Sequence, residues 1–339
     1  MKAIGYYQNL PADDAQALVD IELPEPVPGP RDLVVAVRAV SVNPVDAKVR
    51  RKAAPPPGEA RVLGFDAAGV VQSVGAEVTL FKPGDAVYYA GSIARPGSNA
   101  QLHAVDERIV GRKPASLDDA HAAALPLTAI TAWELLFDRL GVARGGGAGQ
   151  TLLVTGAAGG VGSILVQLAR KLTALTVIGT ASRAETRAWV ESLGAHHVID
   201  HSKPLGEELK RIGVEQVDYV ASLTHTDLHY DAIVAALKPQ GRLGLIDDPA
   251  TPLDVMKLKH KALSLHWEMM FTRPMFGTPD MIEQHKLLNE VAALIDDGTL
   301  KTTLGENYGA INAANLRRAH ALIESGTAKG KIVLEGFGG

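Results

Sequence analysis

Thr155–Gly162 reads TGAAGGVG, and it lies between an apolar run, TLLV (151–154), and a run of helical spacing, SILVQLARKL (163–172). Residues 151–155 predict a short buried strand. Beyond the glycines, Val161, Ile164, Leu165, Leu168, Ala169 and Leu172 recur at three- and four-residue steps, as on the buried stripe of a helix. A strand, a glycine turn and a helix start form the layout of a dinucleotide-binding crossover. Glycine permits the tight turn and lets the backbone approach a pyrophosphate, while the helix N-terminus supplies free N–H groups and a partial positive charge. On the pattern G-x-G-x-x-G the positions are Ala157, Gly159 and Gly162, with Gly160 and Val161 between the last two, so an alanine stands where the first glycine is usual. A second strand, LTVIGTAS (175–182), follows at the expected distance.

The end of that second strand distinguishes the two nicotinamide dinucleotides. An acid there takes the ribose hydroxyls of NAD; this chain offers Thr180, Ala181, Ser182 and Arg183, with no acid before Glu185. A hydroxyl followed by a cation suits a 2′-phosphate, which Arg grips with charge-assisted, bidentate bonds. Further on, VIDHSK brings His201 and Lys203 to the end of the expected third strand. The expected cofactor is NADPH. The alternative is that Arg183 and Arg187 are solvated side chains at a helix start.

The 339 residues suffice for two domains. With 34 basic and 38 acidic side chains the net charge is −4, which gives no reason to expect nucleic acid or an anionic membrane as partner. No uninterrupted apolar run approaches the length of a membrane span, and the N-terminus MKAIGYYQNL lacks a signal-peptide core, so the cytoplasm is the expected compartment. The absence of cysteine excludes disulfides, thiolate nucleophiles and cysteine-bound zinc.

Two textures divide the chain. Up to about residue 110, short β-rich runs (KAIGYY, LVDIEL, LVVAVRAVSV, AAGVVQSV, GDAVYYA, AQLHAV) alternate with Pro/Gly clusters, a pattern that predicts a compact, barrel-like β unit. From 126 to 270, strands (TLLVT, LTVIGT, HHVI, VDYVASL, RLGLI, LSLHW) alternate with helical stretches, which predicts an α/β doubly wound parallel sheet. Ser222 and Thr224, and also Ile246 and Asp247, fall at strand ends where such a sheet meets its ligand. Two amphipathic helices and a last strand, KIVLEG, close the sequence, and that strand is a candidate to pair back with the N-terminal unit.

In this order, VSVNPVDAKVR, VLGFDAAGVVQSVG, FKPGDAVYYAG, AAALPLTAITAWELL, AAGGVGSILVQLA and GKIVLEG resemble the medium-chain dehydrogenase/reductase superfamily, most of all its quinone-oxidoreductase-like branch. LTHTD, IDDP, HWEMMFTR and INAANLRRAHALIESG are similar to the bacterial zinc-type alcohol dehydrogenase-like proteins in particular. The resemblance implies a GroES-like β-barrel catalytic domain over 1–125 and 271–339, a Rossmann NADPH-binding domain over 126–270, an active site in the cleft between them, and a homodimer. It also implies that Asn43 lies near the nicotinamide with Asp46 orienting its loop, and that Thr128 contacts nicotinamide or substrate. Phe271 would fix the carboxamide through its backbone, and Lys331 would reach the cofactor from the last strand. Each has a plainer alternative: an Asn-Pro turn for Asn43, a loop cap for Asp46, a helix cap for Thr128 and a solvated charge for Lys331.

Zinc alcohol dehydrogenases carry a Cys in the stretch matching VSVNPVD and a His-Glu pair in the stretch matching GFD. Here these read Val42-Asn43-Pro44 and Phe65-Asp66, so no metal is expected. His225-x-x-x-His229 lacks an evident third ligand. Without a Lewis acid to stabilise an alkoxide, the expected acceptors are quinones or α,β-unsaturated carbonyls, whose hydride adducts are stabilised by conjugation. Related quinone reductases carry a Tyr two residues after the Asp of NPVD, where this chain has Lys48 after Ala47; Phe65, Tyr89 and Trp267 are the aromatic substitutes to consider. The expectation is an NADPH-dependent, zinc-independent oxidoreductase. Its rivals are an enone/enal double-bond reductase, a weakly active NADPH-binding sensor or structural protein and, more remotely, a zinc alcohol dehydrogenase.

Overall fold

The structure, a computed structural model, describes residues 1–338. The chain forms two compact units, one of Met1–Ile130 with the chain from Phe271 onward, the other of Thr131–Met270. The first crossing falls inside the helix Pro126–Trp133, between Ile130 and Thr131.

In the first unit the elements begin with β1 (Lys2–Tyr6), β2 (Val19–Glu22), β3 (Asp32–Val42), α1 (Pro44–Lys52), β4 (Arg61–Val62), β5 (Ala67–Val74), β6 (Ala86–Tyr89), β7 (Leu102–Asp106), β8 (Val110–Arg112), α2 (Asp119–Ala123) and α3 (Pro126–Trp133). β3, DLVVAVRAVSV, is valine-rich and buried at nearly every position, as befits a strand covered on both faces. One of its edges takes β5 along most of its length, with register shifts at Val34/Val35 and Val37/Ala39. The other edge is divided: residues 32–36 pair with β7, and residues 39–42 pair with the last strand of the chain.

In the second unit, a π-helical turn (Glu134–Arg139) precedes β9 (Thr151–Val154), α4 (Gly160–Leu172), β10 (Thr176–Thr180), α5 (Ala184–Ser192), β11 (His197–Ile199), α6 (Leu205–Arg211), β12 (Val217–Ser222), α7 (Thr226–Ala236), β13 (Leu237–Leu245), α8 (Met256–Lys259) and β14 (Ser264–Trp267). All six strands run parallel in the order β11-β10-β9-β12-β13-β14. The strand order reverses between β9 and β12, the switch point at which such sheets bind ligands. Leu153, Ile178, Ile199, Val220 and Leu243 from five strands pack with Tyr230 and Ile233 of α7 into one buried cluster.

The chain re-enters the first unit with α9 (Thr272–Phe276), α10 (Glu283–Asp296), β15 (Leu304–Asn307), α11 (Ala313–Glu324) and β16 (Lys331–Glu335). β16 lies between β3 and β15, antiparallel to β3 with Ile332 opposite Val42 and Val333 opposite Ser41. The expected barrel is thus built as two sheets, β2-β1-β4 and the seven-stranded sheet centred on β3. The helical run Asp119–Arg139 is long and apolar enough by composition to cross a bilayer, and 83% of its apolar window is buried inside the protein, as in a core helix.

Candidate active site

The glycine turn is built from backbone. Gly156 has φ +64°, a left-handed conformation that favours glycine, and its N–H donates to the Thr180 hydroxyl at 3.2 Å. A Cβ on Gly162 would lie 2.5 Å from the Gly156 carbonyl and 2.6 Å from Ala157 Cα, so only glycine lets α4 start this close to the end of β9. Gly159 stands at the N-cap of α4 in an extended conformation, and no side chain caps the helix. Gly160 and Val161 are half-buried, so the first-turn N–H groups border solvent. This uncapped, positive helix end fits the pyrophosphate of a dinucleotide. Gly156, which the motif alignment passed over, is part of the turn; Ala157 is buried, with its methyl facing Gly179.

Around the turn the structure sorts the predicted contacts. Thr180 is buried and spends its hydroxyl on the turn itself, whereas Ser182, Arg183 and His201 are exposed. Arg187 is half-buried and anchored: it donates to the carbonyl of Val198 at 3.1 Å, at the edge shared by β10 and β11. At the switch point, Thr226 ties two predicted residues together. Its hydroxyl bonds Ser222 Oγ at 2.8 Å and Asp247 Oδ1 at 2.5 Å, and its N–H donates to Asp247 Oδ2 at 2.9 Å. The carboxylate of Asp247 therefore caps the first turn of α7. Thr224 bonds His225 Nδ1 at 2.8 Å, and Ile246 is half-buried beside Asp247. Burial and the neighbouring charges of His201 and His225 hold the His229 imidazole below its usual range.

In the first unit, Asp66 joins Asn43 and Lys331 to the start of α3, where Thr128 stands, and Asp46 holds the Asn43 backbone. Asn43 precedes Pro44, the first residue of α1, and Asp46 one turn in accepts the Asn43 N–H at 2.8 Å and the Gly64 N–H at 2.9 Å. Burial pushes the Asp46 carboxyl up to about 7. Asp66 accepts three hydrogen bonds: Leu127 N–H at 2.7 Å on one oxygen, Asn43 Nδ2 at 2.8 Å and Lys331 Nζ at 3.0 Å on the other. Burial raises the Asp66 carboxyl, and the lysine ammonium, the Asn43 amide and the Leu127 N–H pull it back. Thr128, next in the chain, donates to the Leu125 carbonyl at 3.1 Å. Asn43, Asp46, Asp66, Thr128 and Lys331 are all buried. The Asn43 amide and the Lys331 ammonium, expected beside the cofactor, are engaged inside this network.

The aromatic candidates part company. Tyr89 is buried, stacked on His103 with centroids 5.4 Å apart, and Phe65 meets the predicted Phe271 edge to face at 5.3 Å. Trp267 is half-exposed on β14, the outermost strand of its sheet.

Sequence reasoning passed over a further group. Glu134 and Glu268 face each other in the second unit, both with fully buried carboxyls, and Arg139 donates to Glu268 at 2.8 Å. Burial first, then the adjoining Glu134, push the Glu268 carboxyl up to about 9. Acids in WELL and HWEM give no local sign of burial; the pairing is legible only once β14 is placed beside the π-helical turn.

Zinc does not fit. A catalytic zinc needs three nitrogen, sulfur or oxygen ligands and an open position. The stretches that would supply them offer Asn43, Phe65 and Asp66, and the Lys331 ammonium already sits on the oxygens of Asn43 and Asp66. Among the described residues no group of three or more His, Cys, Asp or Glu is arranged to hold a metal ion.

The comparisons with known proteins agree with this architecture. Residues 29–115 match the alcohol dehydrogenase GroES-like domain, and residues 193–334 match the family described as zinc-binding dehydrogenase. A zinc-type alcohol dehydrogenase-like protein of Staphylococcus aureus strain Mu50 is 39% identical over 337 residues, covering 98% of this chain and 99% of that protein. A crystal structure from Rhizobium etli CFN 42, of a protein provisionally described as a zinc-dependent alcohol dehydrogenase, superposes with a TM-score of 0.95 at 60% identity, covering 100% of this chain and 98% of that one. The Escherichia coli quinone oxidoreductase complexed with NADPH superposes with a TM-score of 0.85 at 26% identity, covering 99% and 100%. The chain belongs to the medium-chain dehydrogenase/reductase superfamily, in its quinone-oxidoreductase-like branch and among the zinc-type alcohol dehydrogenase-like proteins.

Proposed function

We propose that the protein is an NADPH-dependent, zinc-independent oxidoreductase that reduces a quinone or a conjugated carbonyl. The observation that carries this reading is the end of β10. The start of α4 is uncapped by any side chain, and beyond Thr180 stand Ser182, Arg183 and the anchored Arg187 instead of an acid. Arg183 and Arg187 supply the positive charge that a 2′-phosphate needs, and Ser182 supplies a hydroxyl. The NADPH complex of the structurally similar E. coli quinone oxidoreductase supports the same choice.

A bound NADPH supplies the hydride. The chain's share is to hold the pyrophosphate at the α4 N-terminus and to keep the first unit's network, from Asn43 to Thr128, in a single arrangement. Reduction of a quinone to its hydroquinone takes one hydride and one proton, and water can deliver the proton. Zinc independence rests on the donor set: a lysine ammonium bonded to Asn43 and Asp66 repels a metal cation. A homodimer belongs to the same reading, since β14 is an edge strand whose Trp267 is half-exposed.

The test is NADPH oxidation at 340 nm with an aromatic ortho-quinone and a 2-alkenal in parallel, with EDTA present and NADH as control. Turnover with the quinone and NADPH is the expected result. Turnover with the alkenal alone would make the enzyme a double-bond reductase, and NADPH binding without turnover would make it a binding protein. Activity lost to EDTA and restored by zinc would sink the metal-free reading.

A further inference from the structure

We propose that Lys331 is a positioning residue: its ammonium holds Asp66 as an anion and Asn43 in a single amide orientation, and through Asp66 it fixes the first turn of α3, where Thr128 stands. This rests on the proposed function only for its kinetic consequence. The register of β16 on β3 sets the geometry, because Ile332 opposite Val42 carries Lys331 opposite Asn43. The three ammonium protons meet three acceptors: Val42 O at 3.0 Å, Asn43 Oδ1 at 2.5 Å and Asp66 Oδ2 at 3.0 Å. The ammonium is thus spent within its own unit.

Asp66 is an anion for a reason of donors and acceptors. Its two oxygens receive N–H groups from Leu127, Asn43 and Lys331, and a protonated carboxyl would need an acceptor where these donors stand. The Leu127 N–H belongs to the first turn of α3, directly after Pro126, which has no N–H of its own. A buried anion at that helix start satisfies an orphan donor and opposes the helix dipole. Remove the ammonium, and Asp66 keeps its anionic grip on Leu127 only as a buried, uncompensated charge; otherwise it takes a proton and loosens that grip. Asn43 Oδ1 loses its donor in either case. Lys331 thereby links the last strand of the chain to the helix start that carries Thr128.

The experiment compares wild type, Lys331→Met, Asp66→Asn and the double variant. Its readouts are the thermal midpoint, local hydrogen exchange across residues 125–131, NADPH affinity by fluorescence titration, and kcat with the ortho-quinone. Lys331→Met is expected to lower the midpoint, to speed exchange at the first turn of α3, and to cut kcat about tenfold while NADPH affinity changes less than about twofold. The double variant is expected to recover much of the midpoint and of the local protection, because it removes both charges and Asn can still accept the Leu127 N–H. Lys331→Met with a lower midpoint but unchanged local exchange and kcat would overturn the proposal, leaving a stabilising role alone. A double variant no better than Lys331→Met would also overturn it. A wild type inert towards quinone and alkenal defeats the proposed function instead, and the exchange and melting data still decide the role of Lys331.

Discussion

The glycine turn of one unit and the polar network of the other are both candidate parts of a single chemistry, yet they are made in opposite ways. The turn is backbone: four glycines, one with positive φ and one where an added Cβ would strike a carbonyl, shape an uncapped helix start that borders solvent. The network is side chains, wholly buried, assembled from β3, α1, β5's approach, α3 and β16. A backbone site depends on what is absent, since a single extra methyl fills it. A buried ionic site depends on what is present, and deleting one partner strands the other.

That contrast can be broken first at Asp66. Asp66→Ala leaves the Lys331 ammonium buried without its counter-ion, and a loss of about 3–5 kcal/mol in unfolding free energy is expected by denaturant titration. A loss below about 1 kcal/mol would mean that the network relaxes or admits water, and the two regions would differ less than argued.

Next comes a buried acid outside both regions. Glu268 is raised in the folded state, so the fold keeps a proton that the unfolded chain releases above the ordinary carboxylate range. Stability from this group is fully present in acid and is lost as pH rises towards about 9. Between pH 7 and 9 one proton contributes at most about 2.7 kcal/mol, at about 1.4 kcal/mol per pH unit. Glu268→Gln, which can still hydrogen-bond Glu134 but does not titrate, should flatten the stability profile there; an unchanged slope would place the proton elsewhere.

Gly162→Ala tests the backbone side. Its Cβ meets main-chain atoms that cannot rotate away, so a loss of about 2 kcal/mol is expected from overpacking, together with weakened NADPH binding. Unimpaired binding would show that the turn tolerates the methyl by shifting α4. The smallest effect is expected at the rim. Arg183→Ala should weaken NADPH binding about tenfold, or about 1.4 kcal/mol, with NADH binding unchanged. Equal losses for both dinucleotides would assign Arg183 to something other than the 2′-phosphate.

The turn was legible in the sequence because its information is local: a strand, the glycines and a helical stripe follow one another within about twenty residues, as the dinucleotide fingerprint does generally. The doubly wound parallel sheet of the second unit followed from the alternation of strands and helices for the same reason, although its strand order did not. The network was not legible as a network. Asn43, Asp46, Thr128 and Lys331 could be named one at a time by resemblance, but what joins them is Asp66, which the sequence offered only as a leftover zinc position. Their meeting depends on the β3–β16 register, a long-range pairing that no window reveals. The Glu134–Glu268 pair was invisible for the same reason, since an acid advertises exposure and only tertiary packing shows it buried.

The divided edge of β3 also sets an order of assembly. The second unit is one continuous stretch and can close as soon as it leaves the ribosome. The first unit cannot, because half of one β3 edge waits for β16: Ser41 donates to the Ile332 carbonyl at 2.9 Å across 291 positions of chain. Until then Val40 and Val42 sit on an open strand edge, and the carboxylate of Asp66 has no cation. The unit that begins synthesis first therefore finishes folding last, and for that interval its sheet edge is what a chaperone would have to shield.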